Sequence, residues 1–309
     1  MKNISLDLVR ATEAAAVAAS KWIGSGEKEE ADRAATNALR HRLNRMDFHG
    51  KVIIGEGEKD NSYGLFFGEE LGSVKDFPIY DIGVDPIEGT RPTVTSGPEA
   101  ISTIALSSEN SMYKTNSFYM YKISYGPKIK NKNVELSLDN SLHHNLRLVS
   151  MALNKSINDI VVCVLDRPRH KNIIEELREN RVRIKLIQDC DISGAVATCL
   201  PDSGVDLMYG IGGSPEAIVS ACALKCMGGG MEAQVVDESK GWAITSDILK
   251  LEDLVKGPCI FAATGITDGS ILRGVRFKHS GYITNSVFMR SESGTIRWFT
   301  TQHGKGNHK

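Results

Sequence analysis

Apolar residues recur at helical spacing in the first part of the chain. Over residues 5–22 most apolar side chains fall on one side among good helix formers, and Glu13 interrupts that side. From about residue 31 to residue 46 a second run places Leu39 and Leu43 on a common face. Because a spacing of three and four residues matches one face of an α-helix, both runs predict helices.

Short apolar runs follow these helices and predict strands. Four of them are rich in the β-branched and aromatic residues that favour strands: KVII (51–54), PIYDIGV (78–84), ISTIALSS (101–108) and FYMYKISYG (118–126). Near the C-terminus, YITNSVFMRSESGTIRWFTTQH (282–303) predicts a β-hairpin with SESG as its turn.

From about residue 140, helical and extended runs alternate strictly. Helical runs occupy 141–155, 170–180, 192–200 and 214–227, and short apolar runs separate them at 159–166, 183–189 and 205–212. Such alternation is typical of parallel βαβ units, so we predict an α/β protein. The polar stretch at 126–140 is the plausible seam between an α/β part at 1–135 and a second α/β part at 136–309.

Composition narrows the class of partner and compartment. The 309 residues include 37 Lys and Arg against 38 Asp and Glu, a net charge of −1 that argues against a nucleic-acid binder. No apolar run reaches the roughly 18 residues of a membrane span, so we expect no membrane partner. The six cysteines form no CxxC pair, which predicts neither a zinc site nor disulfides and favours the cytoplasm.

Acidic residues stand where predicted strands or helices meet glycine. They follow three strands and open the second helix: Glu56 and Glu58, Asp85 and Glu88, Glu216, and Asp32. Each has a plain structural explanation as a solvated turn or as an acid in the first turn of a helix. Strand ends gather at one edge of a parallel sheet, however, and acids that meet there bind cations. Oxygen ligands select hard ions, which points to Mg²⁺ or Mn²⁺.

Other residues near these acids suit phosphate chemistry. In DPIEGT (85–90), Gly89 leaves room for close approach and the Thr90 hydroxyl is placed to orient an attacking water. Cations for a phosphate come from Lys28 and from the loop RPRH (167–170), although that loop is also a possible helix start. Two further acids either hydrogen-bond sugar hydroxyls or cap the next helix: Asp189 and Asp191.

Taken together, five motifs resemble those of class II fructose-1,6-bisphosphatases, within the Mg²⁺-dependent, lithium-sensitive sugar phosphatase superfamily. They are IGEGE (54–58), DPIEGT (85–90), RPRH (167–170), YGIGGSPE (209–216) and ATGIT (263–267). The similarity runs in order from the first helix to about residue 300. It implies a layered αβαβα fold of the fructose-bisphosphatase and inositol-monophosphatase type, with metal binding in 1–135 and an active site completed by 136–309.

The resemblance also implies an activity and a set of site residues. The activity is hydrolysis of the 1-phosphate of fructose 1,6-bisphosphate in gluconeogenesis, by a homodimer or homotetramer. The implied metal ligands are Asp32, Glu56, Asp85, Glu88 and Glu216, and the implied catalytic residues are Thr90, Lys28 and Asp60. The implied substrate contacts are Glu88, Gly89, Thr90, Tyr119, Arg167, Arg169, His170, Asp189, Asp191 and Gly213.

Two alternatives to this activity remain open, and a third is rejected as the main interpretation. The first alternative is another metal-dependent phosphatase, with a substrate such as sedoheptulose 1,7-bisphosphate or an inositol phosphate. A catalytically silent phosphate-binding protein is a second, although every proposed acid and Thr90 are present. A nucleotide-binding protein is a third, but GIGG and MGGGM lack the remaining residues of either nucleotide fingerprint. The region 227–257 is shorter than in many members of the family.

Overall fold

The computed structural model describes residues 4–57, 63–75, 78–132 and 134–304. These residues form two compact units, one within Met1–Met112 and Gly257–Lys309, the other within Tyr113–Lys256. The predicted division between residues 135 and 136 therefore falls inside the second unit. The physical reason is strand pairing, because the strand Tyr119–Tyr125 hydrogen-bonds to later strands of that unit.

Helices and strands alternate along much of the described chain. The α-helices are α1 (Ser5–Ser20), α2 (Lys28–Leu43), α3 (Thr90–Val94), α4 (Pro127–Lys130), α5 (Leu142–Leu153), α6 (Lys171–Glu179), α7 (Asp191–Ala197), α8 (Ser214–Met227) and α9 (Leu251–Leu254). The strands are β1 (His49–Ile54), β2 (Glu70–Leu71), β3 (Ile79–Glu88), β4 (Ile101–Ser108), β5 (Tyr119–Tyr125), β6 (Val161–Leu165), β7 (Arg183–Ile187), β8 (Leu207–Gly213), β9 (Gly230–Asp237), β10 (Ala243–Ile244), β11 (Leu249–Lys250), β12 (Cys259–Gly265), β13 (Arg276–Lys278), β14 (Gly281–Arg290) and β15 (Thr295–Gly304).

The first unit is built on an eight-stranded sheet in the order β13-β14-β12-β4-β3-β1-β2, with β15 paired to β14. Only β1 and β3 run parallel among its described pairs. Buried apolar residues of α1 and α2 form one core with those of β1, β3, β4 and β12. The predicted hairpin is confirmed as β14 and β15, joined by residues 291–294.

Glu13 explains the interrupted apolar side of α1. Its side chain is buried, and its Oε1 accepts a hydrogen bond of 2.8 Å from Thr284 Oγ1 of β14. The polar position therefore faces a partner in the sheet, so the helix keeps its packing despite the acid. Both predicted helices are present, although α2 begins at Lys28, three residues before the predicted start.

The second unit contains a seven-stranded sheet in the order β10-β9-β5-β8-β6-β7, with β11 paired to β9. The alternation of helices and strands after residue 140 correctly predicted that β6, β7 and β8 are parallel. Strands β5 and β9 run antiparallel to their neighbours and make the sheet mixed. The chain is thus a mixed α/β protein with two sheets. In the described residues, no helix has the length and apolar character needed to cross a bilayer.

Candidate active site

The DPIEGT segment turns strand β3 directly into helix α3. Gly89 lies between them with a φ of 98°, a left-handed conformation that residues with a Cβ rarely adopt. The turn places Glu88 at the strand end and Thr90 at the helix start. Asp85 Oδ1 accepts a 3.0 Å hydrogen bond from the Ile87 amide, which steadies the bend before the turn.

Thr90 is bonded to the acid of helix α2. Its Oγ1 donates to Asp32 Oδ1 at 2.9 Å, with a longer contact of 3.4 Å to the Ile87 carbonyl. Burial raises the pKa of Asp32, while the Thr90 bond and the charge of Lys28 act to lower it. Because the single hydroxyl proton points to Asp32, the oxygen of Thr90 can accept a hydrogen bond from an incoming group.

Three further acids of the first unit lie at the ends of β1 and β3. Carboxylate oxygens of Asp85 and Glu88 lie within 4.8 Å of each other. Ile54 pairs with Gly83 in the parallel register, so Glu56 and Asp85 each lie two residues beyond that pair. Two carboxylates this close repel each other unless a proton or cation intervenes, so this acidic cluster can bind a metal ion. The predicted sites Glu58 and Asp60 lie outside the described residues.

In the second unit, Asp191 forms a buried ion pair with Lys122. Both side chains are nearly inaccessible, with exposures of 6% and 2%. Lys122 Nζ bonds Oδ2 of Asp191, whereas Oδ1 has no hydrogen-bond partner among the described residues. A Cβ at Gly212 would lie 1.9 Å from Asp191 Oδ2, so that position requires glycine for the pair to form.

Glu216 lies in the first turn of α8, next to the same pair. The helix begins at Ser214 with Gly213 as its N-cap. Burial and the charge of Asp191 raise the pKa of Glu216. Its Oε2 has no hydrogen-bond partner among the described residues. An unpartnered buried carboxylate oxygen is costly, which favours a bound cation as its partner.

The arginines of the RPRH loop, predicted to contact substrate, are already bound to other groups of the protein. Arg167 is paired with Asp189, so these two predicted substrate contacts bind each other. Arg169 donates from Nε and Nη2 to the Ile211 carbonyl at 3.0 and 2.9 Å. Its guanidinium carbon also lies 5.2 Å from the centre of the Tyr119 ring. Tyr119, Arg169 and the end of β8 are therefore held together within the second unit.

His170 is fully buried and contacts backbone on both sides. Its Nδ1 bonds the Leu165 carbonyl at 2.6 Å, and its Nε2 accepts a 2.7 Å bond from the Ile211 amide. The second bond requires a neutral ring, and burial lowers the pKa of His170 accordingly. With both nitrogens occupied, His170 ties β6 to β8 and has no ring nitrogen available for the substrate contact predicted for it.

Two residues of this region escaped the sequence analysis. Lys122 lies within the apolar strand β5, where an interior lysine was the available signal. Trp242 packs edge to face against Tyr119, with ring centres 5.1 Å apart. It stands in a short polar stretch where no pattern in the sequence marks it.

The sequence is similar to known proteins over nearly its whole length. A sequence profile described as "Bacterial fructose-1,6-bisphosphatase, glpX-encoded" matches residues 2–303. The "Fructose-1,6-bisphosphatase class 2" of Haemophilus influenzae is 37% identical, covering 98% of this chain and 96% of its own. The "D-fructose 1,6-bisphosphatase class 2/sedoheptulose 1,7-bisphosphatase" of Synechocystis sp. is 34% identical, covering 99% and 98%. The protein of the same name from Microcystis aeruginosa is 33% identical, covering 97% and 96%.

Proposed function

The chain belongs to the bacterial, glpX-encoded fructose-1,6-bisphosphatase family, and from this membership we propose how its residues hydrolyse fructose 1,6-bisphosphate. The protein is a phosphatase, and the reaction releases the 1-phosphate to leave fructose 6-phosphate. The proposal rests mainly on the 2.9 Å hydrogen bond from Thr90 Oγ1 to Asp32. Thr90 follows the acidic pair Asp85 and Glu88 within the same short segment. This arrangement combines a water-orienting hydroxyl with acids suited to a cation.

The acids are proposed to hold Mg²⁺ or Mn²⁺. The donor set consists of carboxylate oxygens, which are the ligands that hard divalent ions prefer. The proposed ligands are Asp32, Glu56, Asp85, Glu88 and Glu216. When bound, such ions neutralise the charge of the phosphate group and make its phosphorus easier to attack.

Thr90 and Asp32 act on the attacking water. Because the Thr90 proton points to Asp32, the Thr90 oxygen accepts a hydrogen bond from water, which turns a lone pair of the water toward the phosphorus. As the O–P bond forms, the water proton moves to Thr90 Oγ1 while the Thr90 proton passes to Asp32 Oδ1. The sugar oxygen leaves as its own P–O bond breaks and takes a proton from solvent. Lys28, one helical turn before Asp32, and Asp60 are proposed to assist.

The second unit is proposed to bind the sugar phosphate. Asp191 Oδ1, which lacks a protein partner among the described residues, is suited to accept a hydrogen bond from a sugar hydroxyl. Arg169 supplies positive charge, and the backbone of Gly213 lies at the adjoining strand end. Tyr119 packs beside Arg169. The remaining proposed contacts are Glu88, Gly89, Arg167 and Asp189, with His170 assigned to support of the loop.

The architecture and oligomeric state are proposed from family membership, and the compartment from the cysteine content. We propose the layered αβαβα sugar-phosphatase architecture and a homodimer or homotetramer, since symmetric assemblies are the common state of such enzymes. We also propose the cytoplasm, because six cysteines without a CxxC pair suit a reducing compartment.

Sedoheptulose 1,7-bisphosphate is a second candidate substrate, because two relatives carry both activities in their names. The deciding experiment measures phosphate release from this sugar, from fructose 1,6-bisphosphate and from inositol 1-phosphate, with Mg²⁺ or Mn²⁺ and with or without chelator. We expect chelator-sensitive release of one phosphate from fructose 1,6-bisphosphate, with fructose 6-phosphate as product. Release confined to either other ester would overturn the substrate, and no release from any ester would overturn the enzyme assignment.

A further inference from the structure

Two aromatic rings enclose the guanidinium of Arg169. Tyr119 and Trp242 meet edge to face with an angle of 73° between their planes. The Arg169 guanidinium carbon lies 5.2 Å from the centre of each ring. We call this pair of rings, Tyr119 and Trp242, the aromatic corner. Cations over aromatic faces at this distance are attracted by the ring quadrupole.

Trp242 reaches this position through an unusual backbone. It follows the short 3₁₀ turn Glu238–Lys240 and has φ of 67°, which bulky residues rarely adopt. Its amide donates to the Asp237 carbonyl at 3.0 Å, where β9 ends and β10 begins. The ring is half-buried and lies outside the apolar core cluster of the second unit. A strained conformation that serves no core packing points to a role at a site.

The aromatic corner and one carbonyl together fix Arg169. Nε and Nη2 are directed to the Ile211 carbonyl, while Nη1 has no hydrogen-bond partner among the described residues. The charges around the guanidinium are those of Arg167, Asp191 and Glu238. Stacking on two rings holds Arg169 without an ion pair to Glu238, so its free N–H groups stay available for an anion. Arginine is the residue best suited to bind phosphate through paired hydrogen bonds.

We propose that Trp242 is a positioning residue, which holds Arg169 to bind the substrate phosphate that is not hydrolysed. This inference rests on the proposed function, since it requires a substrate with two phosphates. Metal ions held by the acids would neutralise the hydrolysed phosphate, whereas the second phosphate needs a side-chain cation. The charge of Arg167 is offset by its ion pair with Asp189, whereas Arg169 forms no salt bridge with a described residue and keeps its full charge for a phosphate.

The test compares three variants by steady-state kinetics on fructose 1,6-bisphosphate. Trp242→Gly removes the ring and suits the positive φ, so the fold is expected to survive. Trp242→Phe keeps an aromatic face. Trp298→Phe is the matched control, because Trp298 is 48% exposed on β15 and belongs to the first unit.

We expect Trp242→Gly to raise KM by about 3- to 30-fold, the range of a partly desolvated cation–π contact. Its kcat and melting temperature should stay close to those of wild type. Trp242→Phe should recover most of the KM, and Trp298→Phe should not change it. An unchanged KM in Trp242→Gly overturns the inference, and so does a fall in kcat and melting temperature together, which marks a purely structural residue.

Binding without turnover separates this inference from the proposed function. Fructose 6-phosphate is titrated calorimetrically into metal-free wild type and Trp242→Gly. Binding about 3- to 30-fold weaker in the variant supports the positioning role, even if wild type were to hydrolyse nothing. Equal binding overturns that role even if hydrolysis by wild type is normal. Absence of binding to wild type also contradicts it, because Arg169 would then not hold a phosphate.

Discussion

The buried pair of Lys122 and Asp191 gives the sharpest prediction about stability. The two side chains are 2% and 6% exposed, and the Lys122 ammonium contacts Asp191 Oδ2 directly. In Lys122→Met, the carboxylate remains buried with no compensating charge. Removing one member of a buried pair costs roughly 3–5 kcal/mol, because the remaining charge stays desolvated.

The expected change in melting follows from that free energy. For a protein of this size, each kcal/mol shifts the midpoint by about 2–4 °C, so Lys122→Met should melt roughly 6–20 °C below wild type. The double variant Lys122→Met/Asp191→Asn removes both charges and should recover at least half of the loss. Circular dichroism during heating measures the melting midpoints of wild type, Lys122→Met and the double variant. The single variant Asp191→Asn completes the double-mutant cycle.

Catalysis by the double variant tests the second role of this pair. If Asp191 Oδ1 accepts a sugar hydroxyl, the refolded double variant should still show a raised KM for fructose 1,6-bisphosphate. The reasoning is refuted if Lys122→Met melts within about 2 °C of wild type, or if the double variant melts no higher than the single one. Either result would mean that the pair is not buried as a charged unit.

Two further predictions concern His170 and Gly213. In the unfolded chain His170 takes up a proton around its ordinary pKa of 6.5, whereas in the folded protein its pKa is lower. Because the unfolded state then binds more protons, wild type should lose stability as the pH falls from about 7.5 to about 5. The loss should be larger than that of His170→Gln in parallel melts. An equal loss in both would exclude His170 as the source. In Gly213→Ala the new Cβ would lie 1.7 Å from Glu216 Oε2, the end of a flexible side chain. The fold should survive, but the half-saturating Mg²⁺ concentration should rise by about 10- to 100-fold in a calorimetric or activity titration, and an unchanged value would argue against Glu216 as a ligand.

Sequence patterns predicted the elements because local periodicity controls them. The strand β6 and helix α8 follow from apolar runs bounded by turn residues, and the SESG turn of the last hairpin follows from its composition. The start of α2 was placed too late because its first turn is Lys28 and two glutamates, which carry no apolar signal. The division into units depends on pairing between distant strands, which no local pattern encodes.

The candidate site was predictable where chemistry lies within one motif. The segment 85–90 contains two acids, a glycine at positive φ and the hydroxyl, so its local geometry follows from its residues. For the other candidate residues, the contacts made in the folded protein determine which groups remain available to a ligand. His170 carries the same sequence signal as a phosphate-binding residue, yet amides and carbonyls of two strands occupy its ring. The role proposed for Trp242 could be inferred only from its packing against Arg169 in the folded protein.

Phosphate release by Thr90 variants tests the central claim most directly. Wild type, Thr90→Ala and Thr90→Ser are compared on fructose 1,6-bisphosphate with Mg²⁺ or Mn²⁺, with and without chelator, after circular dichroism establishes that each is folded. Because Thr90 Oγ1 directs its proton to Asp32, we predict that Thr90→Ala loses about 10²- to 10⁴-fold in kcat while Thr90→Ser retains most of it, and that chelator abolishes release by wild type. Folded Thr90→Ala with wild-type kcat would contradict the account, since the attacking water would then be oriented by another group.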